Sequence, residues 1–185
     1  MGHHTFDSAK ADNLEEPGTR FRFLSAEELR WALDLTGTET VADLGSGTGF
    51  FTDVVAPDAG EVYAVDLQPE MHEYYREKGV PENVDLVTSN VADMPFDDDA
   101  LDAAFSTMTY HEFANEAALA ELARVLGADA TLVVVDWAAS GEGAAGPPTD
   151  ERYSVDEAVE ALQEAGFTVG FEAQRPETFF LTATR

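Results

Sequence analysis

Apolar residues fall in short runs near 40–44, 61–66, 84–88, 101–107 and 130–137, most of them closed by a polar residue. Runs this short, rich in Val, Leu and Ala, read as buried strands. The stretches between them carry apolar residues at helical spacing, predicting helices near 49–55, 70–78, 115–126 and 154–165. Ser25 with Glu28 forms a capping box, so a helix runs to about Asp34 and stops at Gly37. Leu29, Ala32 and Leu33 give it an apolar face, which Trp31 joins unless it belongs to a substrate lid. Ser154 with Glu157 is a second capping box, and Gly166 closes that helix. Two further strands are predicted near 167–174 and 177–184. Strands alternating with helices imply a parallel sheet with helices on both faces. Residues 1–24 read as irregular and polar, and the Gly/Ala/Pro-rich stretch 138–148 as a mobile loop at the carboxyl edge.

The segment 41–51, Val-Ala-Asp-Leu-Gly-Ser-Gly-Thr-Gly-Phe-Phe, is a strand ending in Asp43 and then a glycine turn opening a helix. Such a turn lets backbone approach a ligand, although any glycine-rich strand-to-helix connection has this composition. The next strand ends in Asp66, placed to take the two ribose hydroxyls of a nucleoside. The dinucleotide fingerprint needs a glycine where this chain has Phe50, whose ring would crowd the helix–strand packing.

The spacing Asp43-x-Gly45-x-Gly47-x-Gly49 resembles the first motif of the class I S-adenosylmethionine (SAM)-dependent methyltransferases. SAM has no phosphate but carries an ammonium and a sulfonium. A carboxylate before the turn suits a cation and would repel a pyrophosphate. Gln68-Pro69-Glu70-Met71, Ser89 to Phe96, Leu101 to Thr107, Ala123 to Gly127 and Thr131 to Asp136 follow in order. Together they resemble the later motifs of the small-molecule branch (methyltransferase type 11), which includes quinone-biosynthesis C-methyltransferases, over about residues 38–185. The resemblance implies an α/β, Rossmann-like, doubly wound seven-stranded sheet, mostly parallel with an antiparallel final strand. It divides the chain into an N-terminal segment, 1–36, and a methyltransferase domain, 37–185. It assigns Asp43 and the Gly45, Ser46, Gly47 and Gly49 turn to the methionine part of SAM. Asp66 takes the ribose and Leu67 packs on the adenine. Asn90 and the Val91 N–H read the adenine edge, and Thr107 lies near the methionine end. Asn90 stands where aspartate is common, yet its carbonyl still accepts from the adenine amino group. Asp93 competes for that role or forms part of a turn before Pro95.

The 185 residues suffice for one domain, and 44% are hydrophobic. No apolar run approaches the length of a membrane span and no signal-peptide pattern opens the chain, so a cytoplasmic protein is expected. The absence of cysteine excludes disulfides, thiolate metal sites and a cysteine nucleophile. Gly2-His3-His4 is a tag remnant or native sequence, and two adjacent histidines make no metal site by themselves. The net charge is −27, from 37 acidic and 10 basic residues spread along the chain. Such a surface repels nucleic acids and anionic membranes. It is similar to the proteins of salt-accumulating haloarchaea; an acidic mesophilic protein is the alternative.

Methyl transfer needs alignment of acceptor and methyl, with a base where the acceptor is a hydroxyl or acidic carbon. Candidates lie where strands end. After the fourth predicted strand come Thr109-Tyr110-His111-Glu112-Phe113, with His111 as a base and Glu112 as its orienting partner. Alternatively, His111 packs structurally and Glu112 opens a helix. Tyr110 acts or shapes the pocket, and Asp136 is a base or holds the 138–148 loop. His72 reads as a solvated helix residue. Amino methylases of nucleic-acid bases carry Asn/Asp-Pro-Pro-aromatic where this chain has Thr107-Met108-Thr109-Tyr110. The expected product pair is therefore S-adenosylhomocysteine (SAH) and a methylated small molecule. A nicotinamide oxidoreductase and a non-catalytic SAM binder are the competing readings.

Overall fold

The computed structural model describes residues 8–185, so His3 and His4 lie outside the described residues. Seven strands form one sheet: β1 (Thr40–Leu44), β2 (Glu61–Asp66), β3 (Val84–Thr88), β4 (Leu101–Thr107), β5 (Leu126–Trp137), β6 (Thr168–Gln174) and β7 (Thr178–Thr184). Their order is β3-β2-β1-β4-β5-β7-β6. β1 to β5 pair in parallel, while β7 runs antiparallel between β5 and β6. This is the Rossmann-like sheet that the resemblance implied.

The helices are α1 (Pro17–Phe23), α2 (Ala26–Leu33), α3 (Phe50–Val55), α4 (Pro69–Lys78), α5 (Tyr110–Phe113), α6 (Glu116–Val125) and α7 (Val155–Glu164). They split between the two faces of the sheet because strand side chains alternate. Along β5, Leu132 and Val134 join a core with Leu119 and Leu122 of α6 and Leu162 of α7. Val133, Val135 and Trp137 join a second core with Leu29 of α2, Phe51 of α3 and Tyr75 of α4. Both predicted capping boxes, at Ser25 and Ser154, are formed.

Several sequence expectations are corrected. Residues 8–24 are ordered: Ser8–Glu15 is a 3-10 helix and Pro17–Phe23 an α-helix with proline in its first turn. No residue of α1 is fully buried, so the apolar period that signals a helix is missing. The segment is instead held by ring contacts, Phe21 on Phe50 at 5.1 Å and Phe23 on Trp137 at 4.8 Å. β5 begins four residues early, running straight out of α6, with a register shift opposite Leu101 and Ala103 and Asp129 at positive φ. Trp31 does not join the α2 core face. It is 66% exposed and meets Phe171 of the edge strand β6 edge-on. His72 is fully buried, with Nδ1 2.9 Å from the Thr88 hydroxyl.

The 138–148 loop is tied down rather than free. Arg152 is buried and donates to the carbonyls of Ala138, Ala145 and Pro147. It also pairs with Glu177 at 3.2 Å, whose carboxylate accepts the N–H groups of Gly143 and Ala144. Gly146, at φ +81°, lies flat on Trp137; a Cβ there would come within 2.4 Å of the indole.

Candidate functional site

The glycine turn is shaped by its neighbours. A Cβ on Gly45 would lie 2.3 Å from the Thr109 methyl, and one on Gly49 would lie 2.1 Å from the Tyr75 ring. Both glycines have positive φ, where side chains are strained. The turn forms one wall of a cavity of about 220 Å³, bounded opposite by the ends of β2, β3 and β4.

Asp66 ends β2 at this cavity. Its two oxygens accept the Gly47 and Gln68 N–H groups, each at 2.8 Å, which fixes the carboxylate while leaving lone pairs for a diol. Leu67 lines the cavity and is 55% exposed. Asn90, Val91 and Thr107 line it too, as do Gly45, Ser46 and Gly47. The Asn90 carbonyl already accepts the Ala92 N–H at 2.9 Å, so its amide holds the local turn as well as facing the cavity. Asp93 is exposed and outside the lining.

Asp43 lies beneath the turn, 1% exposed. One of its oxygens accepts from the Thr52 hydroxyl at 2.6 Å; the other, Oδ1, is buried without a partner. Burial, with Asp66 and Asp53 nearby, pushes this carboxyl up to about 7 against the Thr52 bond. Ser46 Oγ and Arg20 Nε are likewise buried and unpartnered. Sequence reading missed Arg20. It reaches the cavity from α1, its guanidinium 5.7 and 5.0 Å from the Phe50 and Phe51 ring centres. Burial lowers it to about 10 despite Asp43 and Glu15, so it stays cationic at neutral pH. The available signal was an arginine between Phe21 and the residues of an otherwise polar segment. Leu14 also reaches the cavity. Its neighbour Glu15 accepts from Thr48 and pairs with Lys78 at 3.1 Å, and Lys78 also pairs with Asp53 at 2.9 Å. The 8–24 segment is thus strapped over the cavity.

The proposed catalytic residues separate. Tyr110 is 1% exposed and packs on Phe113, Tyr153 and Phe179, away from the cavity wall. Asp136 is fully buried at the end of β5. It accepts the His111 backbone N–H at 2.6 Å and lies 3.0 Å from His111 Nδ1. Asp136, not Glu112, is therefore the close partner of the imidazole. Burial works against the imidazolium, but the Asp136 bond and charge, with Glu112 beyond, outweigh it and hold His111 above its ordinary value. Glu112 lines the cavity, its Oε1 4.0 Å from His111 Nε2. Among the described residues no group of three or more His, Asp or Glu is placed to hold a metal ion.

Residues 42–134 match a family model described as a methyltransferase domain. The chain is 32% identical to a structurally characterised SAM-dependent methyltransferase from Aquifex aeolicus, with a TM-score of 0.86, covering 97% of this chain and 99% of that one. It is 37% identical over 99 residues to an uncharacterised methyltransferase-like protein of Schizosaccharomyces pombe, 53% of this chain and 38% of that one. It is also 28% identical to the demethylmenaquinone methyltransferase of Thermus thermophilus, over 78% of this chain and 84% of that protein. The match spans less than two-fifths of the first curated relatives. The strand-ending carboxylates and glycine turn described above fall inside the matched region, and the chain belongs to the class I SAM-dependent methyltransferases.

Proposed function

We propose that the protein transfers the methyl group of SAM to a small-molecule acceptor. The cluster of buried, unpartnered polar atoms beneath and beside the glycine turn is the observation that carries the cofactor assignment. Asp43 Oδ1, Ser46 Oγ and Arg20 Nε form a set of opposite charges plus a hydroxyl. Orphaned buried polar groups cost about 1–3 kcal/mol each, and a ligand that pairs them recovers that. An amino-acid zwitterion fits: its ammonium toward Asp43, its carboxylate toward Arg20. Asp66 holds the ribose diol, Leu67 covers one adenine face, and Asn90 with the Val91 N–H meets the adenine edge. Ser46, the turn backbone and Thr107 enclose the methionine end. Bound SAM supplies an electrophilic methyl on a sulfonium, so the chain's task is chiefly alignment and exclusion of water.

The charge of −27 supports a small acceptor over a nucleic acid or a membrane-bound one. Among the described residues no helix is long and apolar enough to cross a membrane. The same charge supports a working environment rich in salt, in a cytoplasm that accumulates it. The strap supports a reading in which residues 8–24 cover the cofactor as well as any acceptor, which extends the lid expected for residues 1–36. Calorimetric titration tests the assignment: SAM and SAH bind and NAD does not. Binding of NAD, or failure of both SAM and SAH, refutes it.

A further inference from the structure

The peptide joining Gly45 to Ser46 opens the glycine turn, and it is held at both ends. Its N–H donates to the Val65 carbonyl of β2 at 3.0 Å. Its C=O accepts from the Thr109 hydroxyl at 3.3 Å. Thr109 shares its single hydroxyl proton with the Thr107 carbonyl, 3.2 Å away, and so ties the turn to the end of β4. The Thr109 methyl lies against the face of Gly45 from which a Cβ would project. Bringing Thr109 there strains the backbone. Met108 holds φ +61° directly after β4, its N–H donating to the Val135 carbonyl at 2.7 Å. The other positive-φ residues besides glycine, among the described residues, are Asp34, Asp99 and Asp129. Aspartate enters the left-handed region readily, and methionine does not. An outlier of this kind persists where its surroundings impose it.

The peptide matters for what hangs from it. Ser46 Oγ is one of the buried, unpartnered atoms, and Ser46 lines the cavity with Gly45 and Gly47. With no Cβ at Gly45, rotation of this peptide meets little steric resistance. A rotated peptide would turn the Gly45 carbonyl away and swing Ser46 with it. β2 and β4 flank β1, so Val65 and Thr109 restrain the peptide from opposite sides. We infer that Thr109 is a positioning residue for the cofactor: by fixing the Gly45–Ser46 peptide, its hydroxyl aims Ser46 at the amino-acid end of SAM. This inference rests on reading the cavity as the SAM site. Asp66 and Leu67 follow from β2 and Asn90 from β3, beyond this peptide, so the effect falls on one end of the ligand.

Calorimetry with two ligands tests this: SAH, and 5′-methylthioadenosine, which keeps the nucleoside and the sulfur but lacks the amino-acid end. Thr109→Val keeps the branched shape and removes the donor. It loses about five- to tenfold in SAH affinity, the scale of one hydrogen bond, and keeps methylthioadenosine affinity within about twofold. Thr109→Ser restores the hydroxyl and holds SAH within about twofold of the parent. Thr109→Ala carries the same expectation as the Val variant and covers a Val variant that does not fold. Equal losses for the two ligands mark a merely structural role and overturn the inference. So does unchanged SAH affinity in the folded Val and Ala variants, or a Ser variant as weak as the Val one. Failure of SAH to bind the unaltered protein sinks the cofactor assignment itself, a separate outcome.

Discussion

Replacing Asp43 by Asn separates what this residue does for the fold from what it does for the ligand. Without ligand, the ionised carboxylate is an under-compensated buried charge: burial and the nearby Asp66 and Asp53 outweigh the Thr52 bond and the Arg20 charge and raise it from 3.8 to about 7. Each unit is worth about 1.4 kcal/mol, so holding Asp43 ionised costs the empty fold about 4 kcal/mol well above neutrality. The sign follows from linkage. The folded state binds the proton more tightly than the unfolded chain, so this cost is full above about pH 7 and fades toward about pH 4. Asn removes the charge and can still accept from Thr52, but it places a buried NH2 where Oδ1 had no partner, returning about 1–3 kcal/mol. The net expectation at about pH 8 is a gain of about 1–3 kcal/mol, or a Tm increase of order 5 °C for a domain of this size. The gain shrinks by more than half of the ionisation cost by about pH 5. SAH binding moves the opposite way, weakening by about 10- to 100-fold as the ammonium loses its partner. In the unaltered protein, SAH affinity falls as pH drops below about 7, because the proton competes for Asp43. Calorimetric melting and SAH titration at both pH values check this. An Asn variant no more stable than its parent at the higher pH refutes the strained-carboxylate argument; unchanged SAH affinity refutes the ammonium contact.

Asp66→Ala is expected to weaken SAM and SAH by about 1.5–3 kcal/mol, measured by calorimetry, because the ribose loses charge-assisted hydrogen bonds; unchanged affinity removes the ribose role. Arg20→Met should weaken SAH by about tenfold or more while the fold, read by circular dichroism, persists. With Leu14 and Arg20 at the cavity, removal of residues 1–24 should lower SAH affinity, and an unaffected truncation would show the strap to be incidental. Melting temperature should rise from about 0.05 to about 2 M KCl as the screening length drops toward about 3 Å, with sulfate outperforming chloride. A flat response refutes the salt-adapted reading and leaves the methyltransferase assignment standing.

The strands were legible because each is a local apolar run, and the Asp43 and Asp66 positions because a strand end and a glycine turn are local too. The antiparallel placement of β7 came from family resemblance; nothing within residues 178–184 specifies their neighbours. What escaped is long-range. Burial of His72 depends on Thr88 of another strand, and His111 finds Asp136 only when β5 lies beside β4. Glu112 was the nearer acid in sequence and so the natural candidate partner, but adjacent helical residues do not face one another. α1 escaped for a different reason: its contacts are aromatic and guanidinium edges, which leave no apolar period.

The tie between Arg152 and the 138–148 loop works almost wholly through main-chain atoms: three carbonyls on the arginine and two N–H groups on Glu177. The ordering entropy of this loop is therefore spent once, when the chain folds. Main-chain anchoring also frees the side chains. Gly146 must lie flat on Trp137, a Cβ on Gly141 would come within 2.8 Å of both Arg152 Nη1 and Glu177 Oε2, and Gly143 holds φ +75°; outside these three glycines, substitutions along the loop leave its anchors intact. Away from those glycines the loop can diversify its side chains while its path over the sheet stays fixed, a division between scaffold and surface.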